Sequence, residues 1–307
     1  MSFTETFSVK AFPPFNFDLT AQIFRSGDKL IRTYENGQFR QILNINDKLA
    51  QLRATSTGTI EQPEINVGIT ANTHFTLLDK QKAEEIITFI FNLNFNLGSF
   101  YTEVKNDSVM QQIAQQLYGL KNPTTPTVFE SLVDSIVEQQ ISIKVAHTIE
   151  ERIVKKFGES LAFNNEIYYA YPIPRSIASA ITSEIQSCGL SERKAQYIQG
   201  VAQLVVNGEL DLECLKREED SEKIISVLDE IRGIGVWTAE LTMLRGMQKL
   251  DAFPADDLGV RRVISKYYCE GKPIKTVEAR EIANSWGKWK GLAAFYLIIA
   301  EAKNIVV

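Results

Sequence analysis

Residues 231–263 read IRGIGVWTAELTMLRGMQKLDAFPADDLGVRRV. They begin with a Gly-x-Gly turn, Gly233-Ile234-Gly235, that leads directly into a helix-forming segment. Backbone N–H groups at such a turn bind anions, most naturally phosphate. Some way downstream, Asp256 and Asp257 precede a second helix start. A nearby acid can stabilise a cationic transition state or activate water, so the stretch predicts chemistry on a nucleotide backbone or sugar.

The composition is that of an ordinary globular protein. The chain has 307 residues, of which 44% are hydrophobic and 23% charged, enough for one large domain or two smaller ones. Neither a membrane span nor a secretory signal is expected. The three cysteines, Cys188, Cys214 and Cys269, lie too far apart for a zinc knuckle, an iron–sulfur cluster or a disulfide framework. We therefore expect an intracellular protein, in the cytoplasm or nucleoid, or in the nucleus of a eukaryote.

The net charge of −5 is unusual for a protein that binds DNA. Residues 232–290 carry eleven Lys and Arg against seven Asp and Glu, a local charge of +4 against −9 for the remainder. A locally basic face on an acidic protein can still bind phosphates, with weak affinity and strong salt sensitivity. A solvated charged surface explains the same pattern, so charge alone decides nothing.

The first 104 residues predict a small α+β domain. Aromatic residues begin an extended region, and short strands are predicted at 23–25, 29–34, 39–43 and 51–54, with turns at 26–28 and 35–37. A helix is predicted over residues 82–92. From Ser108 onward the apolar spacing becomes helical. Ten helices are predicted, over residues 108–118, 127–141, 143–157, 175–186, 191–206, 220–231, 236–246, 257–267, 276–285 and 289–302.

These motifs resemble those of the helix-hairpin-helix (HhH-GPD) DNA glycosylase superfamily, and within it the 3-methyladenine DNA glycosylase II, or AlkA-type, family. The resemblance covers roughly residues 105–300. The segments that carry it, in order, are residues 129–132, 136–142, 233–239, 244–246, 253–260 and 286–289. The resemblance implies an α+β domain with a small antiparallel sheet over residues 1–104, followed by an all-α helix-hairpin-helix catalytic domain over residues 105–307.

The resemblance also implies a role for particular residues. It makes Asp257 the catalytic acid, beside a sugar that develops oxocarbenium character, and leaves Asp256 as a helix cap. It places Trp237, Trp289 and Leu241 in a base pocket, where an electron-poor purine stacks on aromatic faces. Leu241 stands where the best-known relative has a tyrosine, so the substrate preference is open.

The family also fills the gap left by an extruded nucleotide with a side chain. Gln140, with Gln139 beside it, occupies this wedge position. Phosphate contacts are implied for the N–H groups of Gly233, Gly235 and Trp237 and for the side chains of Arg245 and Arg261, with Arg262 a further candidate. The carbonyls of Ile231 and Ile234 are where relatives bind a structural monovalent cation. No organic cofactor is expected.

Bifunctional relatives that nick DNA carry a nucleophilic lysine two positions after the second hairpin glycine, and this chain has Trp237 there. Lys194 and Lys249 are nearby but are expected to meet phosphate or solvent. The sequence therefore predicts a monofunctional, monomeric glycosylase that acts on double-stranded DNA containing an alkylated base, without contact to a membrane. Two alternatives stay open, namely a glycosylase for oxidised or deaminated purines, such as 8-oxoguanine or hypoxanthine, and a non-catalytic helix-hairpin-helix DNA-binding protein.

Overall fold

A computed structural model describes residues 2–163 and 165–307. Its N-terminal part is a five-stranded antiparallel sheet in the order β1-β5-β4-β3-β2. The strands are β1 (Phe3–Lys10), β2 (Arg32–Glu35), β3 (Gln38–Ile45), β4 (Lys48–Ser56) and β5 (Glu64–Ala71). Asn36 and Gly37 both have positive φ and close the β2–β3 hairpin, as the predicted turn requires.

One face of the sheet is covered by helices and aromatic side chains. Helices α1 (Phe17–Ala21) and α2 (Leu77–Ile90) contribute to a core in which the rings of Phe24 and Phe39 meet Phe91. The segment predicted as a strand at residues 23–25 is instead a 3₁₀ helix over Gln22–Ser26. Phe24 and Phe39 lie 5.1 Å apart between ring centroids, so a short turn suffices to bury the aromatic ring.

The remainder of the chain is mainly helical. The helices are α3 (Gly98–Glu103), α4 (Ser108–Gln116), α5 (Val128–Glu138), α6 (Ile143–Phe157), α7 (Pro174–Ala178), α8 (Thr182–Gln186), α9 (Glu192–Val206), α10 (Leu212–Leu215), α11 (Ser221–Asp229), α12 (Val236–Gly246), α13 (Leu258–Tyr268), α14 (Thr276–Ala283) and α15 (Lys290–Ala302). The expected α+β sheet domain followed by a helical domain is confirmed. In the described residues, no helix is long and apolar enough to cross a membrane.

The helical part contains elements that the sequence did not predict, namely helices α3 and α10 and a β-hairpin. Strands β6 (Ser160–Phe163) and β7 (Glu166–Tyr169) form an antiparallel hairpin. Leu161 and Tyr168 contact Ile42 of β3, so the hairpin packs against the N-terminal sheet. The segment predicted as one helix over residues 175–186 is two short helices, α7 and α8.

The two parts meet along a seam held by hydrogen bonds to backbone carbonyls. Lys121 is fully buried, and its Nζ donates to the carbonyls of Phe12 (3.0 Å) and Leu93 (2.9 Å). Gln248 Nε2 donates to the carbonyl of Phe89 (2.7 Å). Because each bond reaches from the helical part to the N-terminal part, the seam is fixed at several separate points.

Helices α5 and α12 cross closely where small residues meet. A Cβ placed on Gly246 would lie 2.6 Å from the Cβ of Ser131, well inside normal contact. Ser131 Oγ donates to the carbonyl of Thr242 (3.3 Å), so the two helices also share a hydrogen bond. The register between α5 and α12 is therefore set by close backbone approach.

Helix α5 also presents carboxylates at positions i, i+4 and i+8 towards its neighbours. The first, Glu130, is almost fully buried and accepts a 2.8 Å hydrogen bond from Arg32 on β2. The second, Asp134, accepts one from Tyr171 Oη at 2.7 Å. Burial, together with the Glu130 charge, raises the pKa of Asp134 to about 8. Burial, with the charge of Asp134, raises the pKa of Glu150 on α6 to about 9.

Candidate active site

Asp257 is the N-cap of α13 and is held through both carboxylate oxygens. Oδ1 accepts from the backbone N–H of Val260 at 3.0 Å, and Oδ2 accepts from the indole Nε1–H of Trp237 at 3.2 Å. The residue is partly exposed. Asp256 is exposed and accepts from Thr276 Oγ1 at 2.7 Å. The expectation that Asp256 caps the helix is wrong, because Asp257 caps it and also faces Trp237.

Gly259 leaves room for this carboxylate. A Cβ at this position would lie 2.9 Å from Asp257 Oδ1. That oxygen cannot retreat freely, because it is bonded to Val260 N while the other oxygen is bonded to Trp237. A side chain at position 259 would therefore displace the acid. Sequence reasoning did not single out Gly259, although a glycine in the first turn of a helix is an unfavourable helix former that calls for a local reason.

The predicted Gly-x-Gly turn lies at the start of α12. Gly233 has φ +93°, and a Cβ there would overlap the ring of Tyr197 on α9, so position 233 requires glycine. Ile234 N donates to the carbonyl of Ile231 at 3.0 Å and closes the turn. Gly235 is exposed and is the N-cap of α12, which has no side-chain cap. The first N–H groups of α12 are thus presented at the surface beside Asp257.

The predicted pocket residues occupy two environments. Trp237 and Leu241 lie one turn apart on α12 and so share a face of the helix; Trp237 is partly exposed and Leu241 is buried. Trp289 is buried just before α15, with its ring 5.5 Å from that of Phe95 and 6.4 Å from that of Phe100. Phe95, in the segment between α2 and α3, was not predicted, because nothing local distinguishes it from a core aromatic.

The two predicted wedge residues point in different directions. Gln140 is exposed and has φ +57°, which projects it from the turn between α5 and α6. Gln139 is partly buried, and its Nε2 donates to the carbonyl of Gly233 (2.9 Å) and to Thr238 Oγ1 (3.0 Å). Gln139 therefore lies against the hairpin, while the side chain of Gln140 is exposed and its wedge role stays a prediction.

The arginines predicted to bind phosphate differ in their surroundings. Arg245 pairs with Glu138 at 2.6 Å, so a phosphate would have to compete with that carboxylate. Arg262 makes two hydrogen bonds to Glu301, at 3.2 and 2.7 Å. Arg261 is partly buried, and its Nε has no hydrogen-bond partner within the described part of the chain. Among the described residues, Arg245 and Arg262 are paired with carboxylates and Arg261 is not. A contact between Arg261 and phosphate stays a prediction.

The ammonium groups of the two nearby lysines bond to backbone carbonyls. Lys194 on α9 donates to the carbonyls of Val137 (2.8 Å) and Gln139 (2.5 Å), and burial lowers its pKa. Lys249 Nζ donates to the carbonyl of Glu218. Each ammonium group therefore bonds to backbone carbonyls, and contact of its remaining N–H groups with phosphate or solvent stays a prediction.

Two cavities lie away from these residues. One, of about 120 Å³, is lined by the α5 carboxylates, and the other, of about 610 Å³, lies between β3, α2, α5 and α10. Neither is lined by Asp257, Trp237 or Trp289. The candidate active site is accordingly defined by the chemistry and geometry of its residues and not by either of these cavities.

The carbonyl oxygens of the hairpin are ligands of the kind that a hard monovalent cation binds. The carbonyl of Ile231 accepts one hydrogen bond, from Ile234 N, and keeps a second lone pair. The described residues contain no group of three or more His, Cys, Asp and Glu side chains that could hold a metal ion. A cation at the carbonyls of Ile231 and Ile234 stays a prediction.

Comparison with known proteins places this architecture in a family. Residues 133–288 match the model of the HhH-GPD superfamily of base excision DNA repair proteins. The chain belongs to this superfamily. Among HhH-GPD proteins it is similar to the DNA-3-methyladenine glycosylase of Bacillus subtilis (strain 168), with 34% identity over 226 residues that cover 72% of this chain and 73% of the relative.

Solved structures extend the likeness to the N-terminal sheet. The 3-methyladenine DNA glycosylase of Archaeoglobus fulgidus superposes with a TM-score of 0.85 at 27% identity, covering 98% of this chain and 100% of that one. The 8-oxoguanine glycosylase/lyase of Clostridium acetobutylicum has a TM-score of 0.76 at 21% identity, with 99% of both chains covered, and shows the fold alone. Both domains therefore belong to an architecture shared within the superfamily.

Proposed function

We propose that the protein is a monofunctional DNA glycosylase that extrudes an alkylated purine, such as 3-methyladenine or 7-methylguanine, from duplex DNA and hydrolyses its bond to deoxyribose. The observation that carries this is the Asp257 carboxylate, fixed by Val260 and Trp237 next to the surface N–H groups of the hairpin. The names of the relatives from Bacillus subtilis and Archaeoglobus fulgidus support the substrate class.

The chemistry follows from the charge on the damaged base. When the C1′–N bond breaks, its electron pair passes to the cationic purine, which leaves neutral, and positive charge develops on the sugar ring. The ionised carboxylate of Asp257 stabilises that charge. Water then forms the new O–C1′ bond and gives up a proton, which the carboxylate can accept. The products are the free base and an abasic site, and the lesion itself supplies the activation of the leaving group.

Trp237 has two functions in this proposal. Its indole N–H donates to Asp257 Oδ2 and so fixes the carboxylate, while its ring face offers a stacking surface for an electron-poor base. Leu241, on the same face of α12, completes the apolar wall. An acid supported in this way needs no reorganisation as positive charge develops on the sugar, which is the basis of electrostatic preorganisation.

The lysine contacts support the absence of a lyase step. A Schiff base requires a neutral amine that can reach the sugar C1′. Trp237 occupies the position of the lysine in bifunctional relatives, Lys194 donates to two carbonyls at the end of α5, and Lys249 donates to the carbonyl of Glu218. Trapping with borohydride on lesion-containing DNA should give no covalent adduct, and a trapped adduct would contradict the monofunctional assignment.

DNA binding would place phosphates on the N–H groups of Gly233, Gly235 and Trp237, with Arg261 beside them. We further propose that the protein acts as a monomer. Gel filtration with and without a lesion-containing duplex tests this, since a monomer should give a one-to-one complex.

The decisive test is Asp257→Asn. Asparagine is as good an N-cap as aspartate, so α13 should stay intact while the negative charge is lost. Single-turnover release of 3-methyladenine from methylated duplex DNA should fall by about 10- to 1,000-fold with binding retained. Asp256→Asn, one position away and exposed, is the matched control and should release the base at the wild-type rate.

The outcomes separate the candidate functions. An unchanged rate in Asp257→Asn would remove this residue from the mechanism. If wild type releases no methylated purine but does release 8-oxoguanine or hypoxanthine, the alternative glycosylase is correct. If it binds lesion-containing DNA and releases no base from any of these substrates, the non-catalytic helix-hairpin-helix protein is the correct interpretation.

A further inference from the structure

The turn that carries Gln140 adopts a backbone conformation that needs support. Helix α5 ends at Glu138, Gln139 leaves the helical conformation with ψ 122°, and Gln140 has φ +57°. The left-handed region is unfavourable for a residue with a side chain, because its Cβ approaches the backbone too closely. Helix α6 begins directly afterwards, with Ser142 as its N-cap. Such a turn stays in one conformation only if the surrounding structure holds it.

Lys194 supplies one part of this support from a different helix. Its Nζ donates to the carbonyls of Val137 and Gln139, at 2.8 and 2.5 Å, across 57 and 55 residues of sequence. The last carbonyls of a helix have no partner within the helix and carry its partial negative charge. An ammonium group at this point satisfies them and opposes that charge. Lys194 thus anchors both the end of α5 and the residue before Gln140.

The side chain of Gln139 supplies the other part. It donates to the carbonyl of Gly233 in the hairpin and to Thr238 Oγ1 in the first turn of α12. Trp237, which bonds to Asp257, is the neighbour of Thr238 in the same turn. The Gln140 turn, the hairpin and the acid are therefore linked through side-chain hydrogen bonds to the first turn of α12 and through the backbone of that turn.

We propose that Lys194 and Gln139 are positioning residues that hold Gln140 in its projecting conformation, so that their loss slows extrusion of the nucleotide rather than cleavage of its glycosidic bond. This inference rests on the proposed glycosylase function. It assigns to Gln139 a supporting role in place of the wedge role expected from the sequence. The energy needed to unstack and unpair a base is largest for a paired base and small for one without a partner.

The experiment compares one lesion base in two contexts, opposite its complementary base and opposite a tetrahydrofuran abasic analogue. Lys194→Met should lower the single-turnover excision rate about 10-fold or more on the paired lesion and leave the rate on the unpaired lesion within about 2-fold. Gln139→Glu, which keeps the shape and removes the amide donor, should show the same selectivity. Lys194→Arg keeps a charged donor and should recover most of the rate on paired DNA.

Lys156 provides a matched control. It also donates to a helix-end carbonyl, that of Glu184 at 3.0 Å, and to Ser187 Oγ at 2.8 Å. It lies thirteen residues along α6 from Ile143, which places it about 20 Å from the Gln140 turn. Lys156→Met should therefore lower neither rate selectively. Thermal melting of each variant identifies any that fails to fold.

A second readout separates this inference from the proposed function. The fluorescence of 2-aminopurine next to the lesion rises when the neighbouring base leaves the stack, whether or not the bond is cleaved. If wild type shows this rise and excises nothing, the proposed function fails, while the positioning role is still tested by the smaller rise expected for Lys194→Met. Equal rate losses on both substrates in a folded Lys194→Met, or no fluorescence rise with wild type, would overturn the inference.

Discussion

Gly259→Ala tests whether the position of the Asp257 carboxylate limits the reaction. Alanine is a better helix former than glycine by about 1 kcal/mol in a helix interior, and less at a terminus. The new methyl would lie 2.9 Å from Asp257 Oδ1, where an ordinary contact is at least about 3.4 Å. The carboxylate must therefore move by about half an ångström, against its bonds to Val260 and Trp237. The stability of the protein should change little, while the rate of base release should fall.

The expected loss follows from the sensitivity of reacting groups to placement. A displacement of 1 Å can cost about 100-fold in rate, so half of that should cost about 10-fold. Single-turnover base release under saturating enzyme measures the rate, and thermal melting measures stability. The melting temperature should stay within about 3 °C of wild type. The lesion-containing duplex should bind as before, because the methyl faces the carboxylate and not the hairpin N–H groups.

Gly200→Ala is the control for helix propensity. Gly200 lies within α9, and a Cβ there meets nothing within 4 Å. It should raise stability by about 1 kcal/mol and leave base release unchanged. A Gly259→Ala protein with the wild-type rate would show that the carboxylate tolerates displacement, and would refute the argument that its two hydrogen bonds set the geometry for catalysis.

Three further predictions concern packing and pH. Gly246→Ala should cost about 1–3 kcal/mol in denaturant unfolding, and it should cost less in a Ser131→Gly background, where the opposing Cβ is gone; equal costs in the two backgrounds would contradict the contact. Burial raises the pKa of Asp134 to about 8 and that of Glu150 to about 9, so the folded state keeps protons that the unfolded chain releases. The contribution of these two groups to stability is therefore complete below about pH 4 and is lost as the pH rises towards 9. Asp134→Asn should flatten that fall in melting curves, and an unchanged slope would contradict it. Burial lowers the pKa of Lys121 to about 7, so its contribution rises between about pH 7 and 10, and Lys121→Met should remove the rise; a rise that persists in the variant would refute this.

Long periodic segments were predictable from the sequence, and short ones were not. The helices over residues 143–157 and 236–246 have the predicted bounds, because the apolar spacing runs over several turns and each helix follows a clear start signal. The run Ile23-Phe24-Arg25 is too short for a period to be measured, and a 3₁₀ turn buries its aromatic ring as well as a strand would. The β6–β7 hairpin packs against the N-terminal sheet, and no local sequence pattern reveals that contact.

The candidate site divides in a similar way. The Gly-x-Gly turn was predictable, because a tight turn is encoded in neighbouring residues, whereas the N-cap of α13 was expected at Asp256 and lies at Asp257. The contacts of Lys194 with two carbonyls were not predicted, because these acceptors lie 55 and 57 residues away in the chain. Gln139 was misjudged for the same reason, since its partners are in the hairpin 94 residues later and in the first turn of α12. Contacts of this kind follow from how helices pack, which local spacing does not encode.

The seam between the sheet and the helices has a mechanical consequence. The ammonium group of Lys121 donates hydrogen bonds to the carbonyls of Phe12 and Leu93, and the amide of Gln248 donates one to the carbonyl of Phe89. Because these bonds tie the two parts together at separate points, we expect the protein to offer DNA a surface of nearly fixed shape. In the proposed complex the work of bending and opening must be done on the duplex, whose stiffness varies from one base step to the next. The protein should then find a lesion more efficiently when the surrounding DNA sequence is easily deformed than when it is stiff, although it reads no base edge.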